Sequence, residues 1–172
     1  EPKFEKSWYL LDNAIIIAKK NNQSLIFCNG ESATVIAQHL NLPAFAICAS
    51  ESVRLEKETE LLNELKAKWQ GAILIPVDND DAGHKGGLAR QQTLTGLGFH
   101  VRLVEFKTDL KGYDLANFCK EYKEATPEEL YCHLLELPDY AQQEKVLTRT
   151  ENQETENDEL INITVNRQLI EI

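Results

Sequence analysis

Three carboxylates crowd one point of the chain, at Asp78, Asp80 and Asp81, inside the stretch 71–87 that reads G-A-I-L-I-P-V-D-N-D-D-A-G-H-K-G-G. Like charges held together repel one another and resist leaving water, so the cluster needs either a counter-charge or solvent. A divalent cation answers the first need, since hard carboxylate oxygens suit magnesium or manganese. A solvated acidic turn answers the second, with Asp80 or Asp81 as the N-cap of a following helix. Asp78 and Asp80 lie two residues apart, so in extended backbone they face one side and can share a cation.

Two further polar groups could meet this cluster. One is Asn29-Gly30-Glu31, and the other is Asp114 with Asn117. Lys85, Arg90, Lys107 and Lys111 lie close enough in sequence to these segments to meet a phosphate, and His84 follows the acids directly. Gly30 and Gly83 would let backbone approach closely at the turns that frame the group. His39, His100 and His133 stand isolated and read as ordinary surface or core residues. Arg54 and Lys57 open a helix after the second strand, where nucleic acid could reach, although a solvated face is the better reading.

The elements that must position these residues follow from hydrophobic patterning. Short apolar runs at 24–28, 43–48, 72–77 and 99–106 read as buried strands. Between and after them, 31–40, 53–69, 82–97 and 114–122 read as helices, and 4–20 reads as an amphipathic N-terminal helix closed by Asn21-Asn22. Strand–helix repeated four times specifies an α/β fold. It is a Rossmann-like open sheet of about four parallel strands with right-handed crossovers and helices on both faces. In such a sheet, ligand sites form beyond the carboxyl ends of the strands, which is where all three polar groups fall. The expected organisation is an N-terminal helix over 1–23, the α/β domain over 24–123 and an acidic extension over 124–172. In that extension 128–137 is a helix capped by Thr126, 142–159 a polar connector, and 160–172 an apolar partner segment or strand.

Composition agrees with one domain of usual size plus an appendage. The net charge of −10 is uneven, with 12 acidic against 3 basic residues over 124–172 and 16 against 15 over 1–123. The main domain is therefore almost neutral, which permits a local basic surface for nucleic acid without demanding one. No apolar run is long enough to cross a bilayer, and no signal-peptide pattern opens the chain. The four cysteines lack C-x-x-C spacing, and Cys28 and Cys48 lie in strand runs, so we expect buried free thiols in a reducing cytoplasm. The chain starts at Glu1 and has no Met, so we expect it to be cut from a longer protein.

With these segments in order, the chain resembles the TOPRIM domain, shared by topoisomerases, bacterial primases, some nucleases and phage or plasmid primase–helicases. That family has a glutamate-glycine turn after its first strand and an Asp-x-Asp pair after its third, matched here by Asn29-Gly30 and Asp78-Asn79-Asp80. Val77-Asp78-Asn79-Asp80-Asp81-Ala82-Gly83 is similar to the primase branch, and Lys111-Gly112-Tyr113-Asp114-Leu115-Ala116-Asn117-Phe118 to a later primase motif. The resemblance spans about residues 24–122. It implies that Asp78 and Asp80 hold Mg²⁺ or Mn²⁺, with Asp81, Asp114 and Asn117 in an outer or secondary role. It further implies nucleoside triphosphates and DNA or RNA as partners, a helicase domain in the same or another chain, and magnesium-dependent nucleotidyl transfer in DNA replication. Gly30, Lys85, Arg90 and Lys111 would contact phosphate.

One departure bears on chemistry. The family's glutamate after the first strand is its general acid/base, and Asn29 stands there. An amide cannot exchange a proton near neutral pH. Glu31 either substitutes for it or is an ordinary first-turn acid favoured by the helix dipole. The alternatives to primer synthesis are thus a catalytically degenerate module that binds nucleic acid or protein, or a TOPRIM nuclease. Haloacid-dehalogenase phosphatases carry Asp-x-Asp after the first strand, response-regulator receivers need an acidic pair there, and dinucleotide binding needs G-x-G-x-x-G. None of these patterns is present.

Overall fold

The computed structural model describes residues 6–48 and 54–140. The connector expected over 142–159 and the apolar segment expected over 160–172 lie outside the described residues. Apolar, partly β-branched runs become β2 (Leu25–Phe27), β3 (Ala44–Cys48), β4 (Ile73–Val77) and β5 (Val101–Glu105). These four strands pair in parallel, in the order β3-β2-β4-β5. Every side chain of β2 and β4 is buried, as befits strands covered on both faces.

The sheet has a fifth strand that the patterning hid. Residues 4–20 do not form one helix: β1 (Ser7–Tyr9) pairs antiparallel with β3, and α1 begins only at Leu11 and runs Leu11–Asn21. Between them Leu10 takes the left-handed conformation, φ 57°, which separates strand from helix. The tertiary contacts of Trp8 explain the switch. Its ring packs edge-on against Phe27 and Phe45, and its indole N–H donates to the Leu61 carbonyl at 2.8 Å. Apolar spacing over 4–20 is compatible with either element, and packing the half-buried indole decides it.

The remaining helices are α2 (Glu31–His39), α3 (Thr59–Lys68), α4 (Asp81–Gly96), α5 (Leu115–Glu121) and α6 (Pro127–Leu135). The expected helix over 53–69 is instead a short 3-10 turn, Leu55–Lys57, followed by α3. One face of the sheet, through Ile26, Leu74 and Val104, packs with α2, α5 and α6, whose Ala37, Phe118, Leu130 and Leu134 lie in the same buried cluster. The other face carries α4, where Gly87 sits against Val77 and Leu103. Among the described residues no helix is long and apolar enough to cross a membrane. Cys28 and Cys119 are buried free thiols, whereas Cys48 is only half-buried and Cys132 is exposed. For Cys48, lying in a strand run did not mean burial, because it ends β3 next to the edge strand β1.

Topology locates the place where a site can form. From β2 the chain crosses to β3 on one side, and from β3 it crosses back past β2 to β4 on the other. The β2–β4 boundary is therefore a switch point, where the following loops diverge and leave a crevice. Pairing between β2 and β4 runs only through Leu25↔Ile73 and Ile26↔Leu74. That ladder has ended before Pro76, the one β4 residue without a backbone donor.

Candidate functional site

Asn29 follows β2 and Asp78 follows β4, so each leaves its strand at the mouth of this crevice. Their side chains meet there. The Asn29 amide Nδ2 donates to Asp78 Oδ2 at 2.6 Å, and Arg90, from α4, donates through a guanidinium N–H to Asn29 Oδ1 at 2.7 Å. Arg90 in turn lies over the Phe27 ring, 5.0 Å from its centroid. The cation–π contact holds Arg90, its charged guanidinium donates to the amide oxygen, and the amide is thereby oriented with its nitrogen toward Asp78.

Asp78 is half-buried, and that burial is the chief cause that raises its pKa above the ordinary carboxylate value. The Asn29 hydrogen bond opposes the shift, the negative charges of Asp114 and Asp80 add to it, and Arg90 opposes it again. Burial likewise lowers the Arg90 pKa, with Asp78 pulling it back up. These are the electrostatics of an acid held partly out of water among other acids.

Asp80 does two things. It is the N-cap of α4, with Oδ1 accepting from the Gly83 N–H at 2.7 Å. It also lines the cleft with Asp78, Asn29, Glu31, Arg54 and Arg90, a space of about 790 Å³. Of the two capping candidates, Asp80 takes the role, and Asp81 is an exposed first-turn residue of α4 that does not line the cleft. Gly83 is needed for close approach, because a Cβ there would lie 2.5 Å from the Asp78 carbonyl oxygen. Gly30 is not: its backbone is extended, and a Cβ would meet nothing.

The other residues singled out from the sequence divide clearly. Glu31 is exposed and lines the cleft, and it lies close enough to Cys48 at the end of β3 to raise that thiol's pKa. Asp114 and Asn117 bond reciprocally as the capping box of α5, backbone to side chain at 2.9 and 3.3 Å. Asp114 still lies close enough to Asp78 to raise its pKa. Lys85 and Lys111 are exposed and do not line the cleft. His84 faces Glu105 at the end of β5, 3.3 Å away. Arg54 is exposed, as expected of a solvated residue, and it also lines the cleft.

Among the described residues, no group of three or more His, Cys, Asp or Glu side chains comes together as a metal cage. The donors that are present suit a sparser site. Asp78 uses Oδ2 and Asp80 uses Oδ1 in the bonds above, which leaves one oxygen of each. Two carboxylates, with water and phosphate completing the shell, are a common arrangement for magnesium.

No protein-family model matches the chain, and no curated protein sequence does. Among solved structures, the chain is similar to the RNA polymerase domain of the Mycobacterium tuberculosis primase DnaG in complex with double-stranded DNA. The TM-score is 0.48 at 16% identity, covering 75% of this chain and 38% of that one. The chain thus spans well under half the length of that structure.

Proposed function

We propose that the chain is a TOPRIM-like domain of a nucleic-acid replication protein that binds phosphate at the β2–β4 crevice, with Mg²⁺ or Mn²⁺ held by Asp78 and Asp80. The observation that carries this reading is the convergence, at the switch point, of two acids with Arg90 and Arg54 in one cleft. A bound cation supplies charge neutralisation for the phosphate and for the acid pair. Arg90 supplies fixed donors to a phosphate oxygen, and it is already oriented by Phe27 and Asn29. Asn29 holds Asp78 in place and transfers no proton.

The geometry favours binding over proton transfer, because the residue after β2 is Asn29, an amide held between Asp78 and Arg90. Nucleotidyl transfer in primer synthesis, with nucleoside triphosphates as substrates and a helicase domain as partner, is the second reading. What supports it is that phosphoryl transfer draws its rate from positioning and charge, and an orienting metal site can serve it without a side-chain base. Thermal denaturation with and without Mg²⁺ or Mn²⁺ tests the shared premise. The native chain should melt higher with metal, and Asp80→Asn, which keeps an N-cap residue, should lose the rise. No metal effect in the native chain overturns both readings.

A further inference from the structure

Asn79 stands between the two acids and turns its side chain elsewhere. It does not line the cleft, and its amide donates instead to the carbonyls of Thr108 at 2.6 Å and Leu110 at 3.1 Å, in the loop between β5 and α5. Both peptide groups that flank it are bonded to the same loop. Its N–H, in the peptide shared with Asp78, donates to the Tyr113 carbonyl at 2.9 Å. Its carbonyl, in the peptide shared with Asp80, accepts from the Gly112 N–H at 3.0 Å. Across the residue, the Asp80 N–H donates to the Asp78 carbonyl at 2.8 Å. The loop is itself braced, since the Leu110 N–H donates to the Thr108 hydroxyl at 3.2 Å.

These bonds fix the backbone from which Asp78 and Asp80 project. Further out, Asn29 holds one oxygen of Asp78 and the Gly83 N–H holds one oxygen of Asp80. Little freedom remains to change the span between the two carboxylates, and cations differ in the span they require. Magnesium demands near-octahedral oxygens at about 2.1 Å, whereas calcium accepts more ligands, in looser geometry, at about 2.3–2.6 Å. A pair held rigidly therefore discriminates by size, and a loose pair adapts to either ion. We propose that Asn79 is a positioning residue that sets the choice of cation: tied to the 108–113 loop, it holds Asp78 and Asp80 at a span that favours Mg²⁺ over the larger Ca²⁺. The proposal rests on the reading of the cleft given above and adds to it the source of its selectivity.

The test is competition of Mg²⁺ and of Ca²⁺ against Mn²⁺ bound to the full chain, with free manganese followed by electron paramagnetic resonance and stability by chemical denaturation. On the native chain, Mg²⁺ should displace manganese at a lower concentration than Ca²⁺ does. Asn79→Ala, which removes both side-chain bonds, should weaken manganese binding by about tenfold and bring the two displacing concentrations together. Thr108→Val removes only the brace within the loop, from a residue that does not line the cleft, and should move their ratio the same way by a smaller amount. Thr126→Ala, which removes the cap of α6, should lower stability and leave the ratio unchanged. A merely structural Asn79 predicts instead that its variant loses stability and keeps the native ratio, and that result overturns the proposal. A native chain that binds Ca²⁺ as well as Mg²⁺ overturns it too, while the cleft reading survives. If the native chain binds no manganese, both fall. Should Asn79→Ala fail to fold, Thr108→Val decides: an unchanged ratio there rejects the proposal.

Discussion

Asp80 and Asp114 occupy the same local position and serve different ends. Each follows a parallel strand at the carboxyl end of the sheet, each has extended backbone, and each caps a helix by accepting from a backbone N–H three residues on. Asp114 closes a reciprocal box with Asn117, and the residues beyond it, Leu115, Ala116 and Phe118, pass into the core. Asp80 has no such partner at its third residue, because Gly83 stands there to let the helix press onto Asp78. Its side chain also lines the cleft with Asp78. On the proposed reading of the cleft, what the third residue supplies, a side chain or a close approach, separates the purely capping acid from the one left to hold a cation.

That contrast can be tested from its largest effect downward. Gly83→Ala should destabilise the fold by about 2 kcal/mol, since the added methyl meets backbone that cannot yield. Gly30→Ala, at the neighbouring turn, should change stability by less than about 0.5 kcal/mol. Chemical denaturation of the two variants checks both. Equal effects would remove the steric basis of the contrast.

Asp114→Ala should cost about 1 kcal/mol, the usual value of an N-cap, while leaving any metal-induced rise in melting temperature intact. Asp80→Asn should invert that result, with stability nearly kept and the rise lost. If Asp114→Ala abolishes the metal effect, the capping box is part of the site.

A thiol lies below each region, Cys28 at the end of β2 and Cys119 in α5. Burial pushes each up to about 12. A folded pKa above the unfolded one favours the fold while the thiol stays protonated, and that contribution is lost as pH rises from about 8.5 toward 12. Stability should therefore fall on the alkaline side, and less steeply in Cys119→Ala. Thiol titration of the native protein should modify Cys132 first and leave Cys28 and Cys119 unreacted until unfolding.

At α6 the Thr126 cap lowers the pKa of Glu129, whose side chain closes the box. A depressed carboxylate stabilises above its unfolded pKa and loses that contribution as pH falls. A small acid-side loss of stability should vanish in Glu129→Ala.

The parallel strands were legible because burial on both faces writes continuous apolar runs, as at Ile73–Val77. β1 was not, because Trp8 and its neighbours fit a helical stripe until Phe27 and Phe45 are in place to receive the indole. The acid pair and its order in the chain could be read directly, and so could Thr126 as a cap. The locked orientation of Asn29 could not, since it depends on Arg90 folding over Phe27 from a helix 61 residues away. Nor could Asn79 be understood from its neighbours, because its partners are carbonyls about thirty residues on.

The central claim, that Asp78 and Asp80 share a cation, is tested most directly by titrating the chain with Mn²⁺ and following free manganese by electron paramagnetic resonance. The native chain and Asp114→Ala should bind about one manganese each, whereas Asp78→Asn and Asp80→Asn should bind far more weakly. Native-like binding in both aspartate variants, or none in the native chain, would contradict the account.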